Sequence, residues 1–126
     1  MRKKFSRNWK SSKKPRKQRK YAHKASLHIR NKLVASHLSK DLKKKYKKRS
    51  LRIRKNDKVK VVSGQFKGKS GKIDRVDPKK SKVYITGIDT VKKDGSKTSY
   101  PIHSSNVIIT DIDLSDKKRV KRIKIR

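Results

Sequence analysis

From Met1 to Lys24 apolar residues are isolated among dense cations, and neither a period of 2 nor one of 3.6 runs through them. Such a segment buries too little to offset the entropy of ordering, so alone in water it is expected to be extended and disordered. Between Ser26 and Tyr46 a helical period emerges, with Ile29 and Leu33 at i, i+4 and then Leu38, Leu42 and Tyr46 at i, i+4, i+8. Two short helices fit this pattern: Ser26 can cap the first, and Ser39 the second, with Asp41 placed in its electropositive first turn. Both stripes are narrow, so the helices need a surface to dock on.

The period changes at Arg52. Lys58-Val59-Lys60-Val61 alternates cleanly and predicts a half-buried strand with both valines on one face. Gly64, Gly68 and Gly71 then mark a turn, in which Phe66 is available to plug a core. Ile73 and Val76 stand at odd spacing, which a strict strand cannot bury on one side, so a bulge or sharp bend is expected there. Asp77-Pro78-Lys79-Lys80 reads as a turn into Val83-Tyr84-Ile85, and Asp94-Gly95 as a hairpin turn needing positive φ. Tyr100 and Ile102 belong to a returning strand that Pro101 marks as an edge, and Val107-Ile108-Ile109 supplies a last one. Five short strands in some sixty residues predict a small, strongly bent barrel. The expected organisation is a basic extension over 1–25, two short helices over 26–50, the barrel over 51–114 and a basic tail over 115–126. A helix that starts at Ser115 and frays is the expectation for that tail.

Charge alters this picture more than any other property. The chain carries 43 Lys plus Arg against 9 Asp plus Glu in 126 residues, a formal net charge of +34, and Asp41 is the sole acid before Asp57. Self-repulsion at that charge opposes compaction unless a polyanion neutralises it. Nucleic acid is the foremost candidate, because binding phosphate releases condensed counterions. Hydrophobic residues at 29% suffice for one small core, and the absence of cysteine excludes disulfides, zinc ribbons and thiol chemistry. His23, His28, His37 and His103 lack metal-ligand spacing, and the chain has no Glu and no paired carboxylates. An enzyme is therefore not expected, nor a cofactor, a metal or a small-molecule substrate. No apolar run reaches the roughly 20 residues needed to span a bilayer, and no apolar segment follows the basic start, so neither a membrane span nor a secretory signal is expected.

The run KVKVVSGQFKGKSGKIDRVD resembles a KOW motif, the short segment shared by several ribosomal proteins and transcription elongation factors; here it covers about 55–88. PRKQRKY, LHIRNKL, HLSKDLKKKY, RSLRIRKNDKVKVVSGQFKGKSGKI and PIHSSNVIITDIDLSD, in that order, resemble the archaeal and eukaryotic form of the KOW-motif family numbered twenty-four in the universal large-subunit scheme. The resemblance spans Pro15 to Asp116. It implies a mainly β fold, an SH3-like barrel preceded by two short helices and flanked by extended basic tails. It also implies a structural protein of the large ribosomal subunit in the cytoplasm, which binds the 5′ region of the large-subunit ribosomal RNA early in assembly, near the peptide tunnel exit and among other large-subunit proteins. The family's KOW glycine falls on Gly71. The absence of Glu departs from the family's pattern, and VKRIKIR at the C-terminus has no match in it. A transcription elongation or RNA-processing factor with the same motif is the alternative, although such factors usually add a second folded domain and are less cationic.

The expected RNA contacts follow from charge and position. In the basic extension they are Lys13, Lys14, Arg16, Lys17, Arg19 and Lys20, with Trp9 and Tyr21 either stacking on an unpaired base or a ribose, or else inserted against another protein or left exposed. His28, Arg30, Lys32 and Arg49 lie in the helical region. Arg52 and Arg54, like Lys58 and Lys60, alternate with apolar positions and so face outward toward RNA backbone. Lys67, Lys69 and Lys72 flank glycines whose small bulk lets backbone N–H groups approach phosphate. For Gly71 itself a structural role at the bend is expected.

Overall fold

The computed structural model describes residues 12–124, so Trp9 lies outside the described residues. The architecture mixes helix and sheet: α1 (Pro15–Lys24), α2 (Leu27–Leu33), β1 (Ala35–Leu38), α3 (Lys40–Tyr46), β2 (Ser50–Arg52), β3 (Lys58–Val61), β4 (Ser70–Asp77), β5 (Lys82–Ile85), β6 (Asp89–Val91), β7 (Lys97–Ser99), β8 (Ile102–His103), β9 (Val107–Asp111) and α4 (Lys117–Lys124). Seven strands form one sheet in the order β2-β1-β9-β3-β4-β5-β8, and β6 pairs with β7 in a separate hairpin. Among the described residues β2 and β8, the two ends of that order, do not pair, so the sheet is open and no closed barrel forms. All its pairings are antiparallel except β1 on β9.

Alternation builds the core. Val59 and Val61 on β3, Val83 and Ile85 on β5, and Val107 and Ile109 on β9 are buried together with Val34, Leu38, Ile53, Ile73, Ile88 and Ile102. Phe66 closes one end from the glycine-marked turn, its ring centroid 4.9 Å from that of Tyr100. The expected irregularity in β4 is a register shift between Ile73 and Arg75, which lets Ile73 and Val76 both face inward. At the Asp94-Gly95 turn Gly95 takes φ +82° and its N–H donates to the Lys92 carbonyl, closing the β6–β7 hairpin.

Three expectations are corrected. First, Leu38 continues no helix: Ala35–Leu38 is a strand, and Leu38 reaches the core from β1 while Leu42 and Tyr46 reach it from α3. The i, i+4 coincidence across Ser39 joins two elements, because β1 fits beside the apolar β9 and gains a ladder there. Ser39 does cap α3, its Oγ accepting from the Leu42 N–H at 3.4 Å, with Asp41 in the first turn. Ser26 occupies the N-cap of α2 without a capping bond; its hydroxyl meets His28 Nδ1 at 3.1 Å instead. Leu33 is exposed, and the neighbouring Val34 is the buried residue.

Second, the basic segments are helical within the described residues. Pro15 sits at the start of α1, where its fixed φ suits a first turn, and good helix formers follow. His23 and Lys24 occupy the last turn, where cations are favourable. No residue of α1 is buried. Third, the C-terminal tail is docked: Arg119 and Ile123, four residues apart on one face of α4, are both buried. Asp116 begins this helix, its Oδ1 accepting from the Lys118 N–H at 2.8 Å.

Candidate nucleic-acid interface

Most of the acids bond to groups of the fold itself, although Asp57 alone among them is fully buried, and the cations greatly outnumber them. Among the described residues four ion pairs occur: Arg119 with Asp57, Arg54 with Asp116, Lys55 with Asp74 at 3.6 Å and Lys58 with Asp111 at 3.8 Å. Other carboxylates cap turns, as Asp77 does for the Lys79 N–H at 2.9 Å and Asp94 for the Ser96 N–H at 2.9 Å. Hydrogen bonds from the Ser96 side chain and then its backbone hold the Asp94 carboxyl below its ordinary value, and the Ser115 backbone and side chain do the same for Asp113.

The structure sorts the expected RNA-binding residues into three groups. Lys13, Lys14, Arg16, Lys17, Arg19 and Lys20 are exposed on α1 and just before it, with Tyr21 half-buried. Lys67, Lys69 and Lys72 are exposed around the glycine turn, where Lys69 Nζ lies 5.1 Å from the Phe66 ring centroid. His28 and Arg49 are exposed as well, and so is Lys32. Arg30, Arg52 and Arg54 form a second class, because all three are half-buried, and the side chains of Arg30 and Arg54 bond within the fold. Arg30 donates to the carbonyls of Ala25 at 3.0 Å and of His23, and so ties α2 back to α1. Arg54 pairs with Asp116, and its side-chain hydrogen bond, followed by the Lys118 N–H, holds that carboxyl below the usual carboxylate range. Gly71 stands apart as backbone. Its need for glycine is steric, since a Cβ there would lie 2.6 Å from the Thr86 carbonyl oxygen and 2.8 Å from Ile85 Cγ2.

Two surface depressions adjoin β4. One, of about 770 Å³, is lined by Arg52, Arg54, Lys55 and Arg75 among others; the second, of about 570 Å³, by Arg75, Tyr84 and Lys97 with Thr98, Ser99 and Pro101. Sequence reasoning passed over Arg75, Tyr84 and Lys97, because Arg75 comes to lie across from Tyr84 only through the register shift in β4. Burial lowers the pKa of His103, helped by the nearby Lys82 charge, so this histidine is biased toward neutrality. Among the described residues no group of three His, Asp or similar ligands could hold a metal, and no helix is long and apolar enough to cross a membrane.

A family model that describes the ribosomal proteins L26 of eukaryotes together with their archaeal counterparts matches residues 12–126. The chain belongs to this family. The match runs through the C-terminal tail, beyond the stretch that the sequence motifs span. A relative from Methanosphaera stadtmanae, the large ribosomal subunit protein uL24, is 46% identical over 108 residues, which cover 86% of this chain and 92% of that protein. Members of this family are structural ribosomal proteins of the uL24 type, so the chain is a ribosomal structural protein and not an enzyme.

Proposed function

We propose that this protein is a structural component of the large ribosomal subunit, in the cytoplasm, that binds the 5′ region of the large-subunit ribosomal RNA early in assembly. It ends beside the peptide tunnel exit, against neighbouring large-subunit proteins. In this reading the strands β3 to β5 and β9 are the SH3-like KOW unit, bent by the β4 bulge, and α1 and α4 are its RNA-gripping extensions. The observation that carries it is the imbalance of charge on a family scaffold: nine acids, several bonded internally, face 43 cations. Such a surface is neutralised by phosphate, with the exposed cations of α1 and of the glycine turn as the main contacts.

The test is binding of the full chain to purified large-subunit ribosomal RNA across a salt series. A steep fall of log affinity with log salt is expected, with a slope that reports the number of phosphates neutralised. A flat dependence would exclude phosphate-dominated contact. Sedimentation of cell extract gives the second readout, since the protein should travel with the large subunit.

A further inference from the structure

β4 changes face halfway along its length. Ile73 points into the core opposite Ile85, yet Arg75 stands opposite Tyr84 and is exposed, because the register slips between Ile73 and Arg75 and leaves Asp74 as the extra residue. In an unbroken strand positions 73 and 75 share a face, so regular pairing would drive an arginine into the core. The bulge turns it outward. Tyr84 lies between the buried Val83 and Ile85 on β5, which directs it to the same outer face. There the Arg75 guanidinium rests 4.2 Å from the centroid of the Tyr84 ring, within the range of a cation–π contact. Both residues line the 570 Å³ cleft between β4–β5 and β7, and Arg75 is the more exposed of the two.

We propose that Arg75 on Tyr84 is a stacking platform for one unpaired nucleotide of RNA, with the base laid on the guanidinium plane and its phosphate directed toward Lys97. The proposal rests on the RNA-binding reading above and adds a site that the sequence reading did not single out. Three features favour a base over bare phosphate. The guanidinium already lies over an aromatic face, and its planar group can take a base as a further layer. Pro101 gives the cleft an apolar wall. Asp74, which lines the cleft and pairs with Lys55 at 3.6 Å, repels phosphate but keeps lone pairs that can accept from a base amino group.

Arg75→Lys separates the two, because it keeps the charge and removes the plane. The full chain and this variant are compared on purified large-subunit ribosomal RNA, by affinity across salt and by 2′-hydroxyl acylation of the bound RNA. The variant is expected to bind about tenfold more weakly, with an unchanged salt slope, and to raise acylation at one unpaired nucleotide. Tyr84→Leu, which retains apolar bulk, should expose the same nucleotide. Circular dichroism establishes that both fold, and if Tyr84→Leu does not, the exposed Arg75→Lys still decides. Equal affinity with an identical acylation pattern would overturn the platform, as would changes confined to a base-paired segment. Should the unaltered chain fail to bind this RNA, the broader reading falls and the platform with it; an unaltered chain that binds beside an indistinguishable Arg75→Lys sinks the platform alone.

Discussion

The Arg119 guanidinium grips the Asp57 carboxylate along two parallel bonds of 2.6 and 2.7 Å, across 62 residues of chain and shielded from solvent. Among the described residues no buried side-chain polar atom, theirs included, lacks a partner. Asp57 also accepts the backbone N–H groups of Arg54 at 2.8 Å and Asp113 at 3.1 Å, while Arg119 also donates to the carbonyls of Asp113 at 3.0 Å and Arg52 at 3.2 Å. One pair thus knots the turn before β3, the segment after β9 and the C-terminal helix. It holds α4, with its exposed Lys117, Lys118, Lys121 and Arg122, at a set angle to the sheet.

Removing one partner leaves the other charged and buried. Arg119→Met is expected to destabilise the fold by about 3–5 kcal/mol in urea denaturation, whereas Arg119→Met with Asp57→Leu should recover much of that loss. A single variant as stable as the parent would show that the pair does not anchor α4.

Gly71→Ala should cost about 1–3 kcal/mol, because the added methyl meets the backbone carbonyl of Thr86, which cannot rotate away as a side chain could. Thermal unfolding measures it. An unchanged midpoint would mean that β4 and β5 separate freely at this point.

Acid should release α4. The Asp113 and Asp116 carboxyls are held below the ordinary value of 3.8 in the folded state, so their contribution is fully present above that value and is lost as pH falls through the lower folded pKa. Hydrogen exchange at the amides of 117–124 should therefore accelerate in strong acid before the amides of β3 and β9 exchange. Simultaneous loss of all three would contradict it.

Deleting residues 1–24 is expected to leave the sheet folded while weakening RNA association strongly, since α1 buries none of its residues yet carries a dense set of exposed cations. The RNA salt slope should fall with the number of phosphate contacts removed. A deletion variant that fails to fold would place the segment in the core.

Local chemistry was legible where a few neighbouring residues settle the outcome. The alternation at Val59 and Val61, the cap at Ser39, the odd spacing of Ile73 and Val76 and the turn at Gly95 each specify their own backbone, and each is found. β1 was missed because Leu38 stands at helical spacing from Leu42 and Tyr46, and Ala35–Leu38 becomes a strand only beside β9, some seventy residues away. Arg75 and Tyr84 were missed for a related reason, since a register slip brings them opposite each other and no spacing rule predicts which residue a bulge leaves over.

By itself, then, the sequence determined the charge imbalance, the apolar strands that must hide from water and the ribosomal family to which their motifs point. Only the tertiary structure decided which cations are structural. Arg119 is one basic residue in a basic run until long-range folding brings Asp57 to it, and the bond that distinguishes it from its neighbours exists only once both have left water.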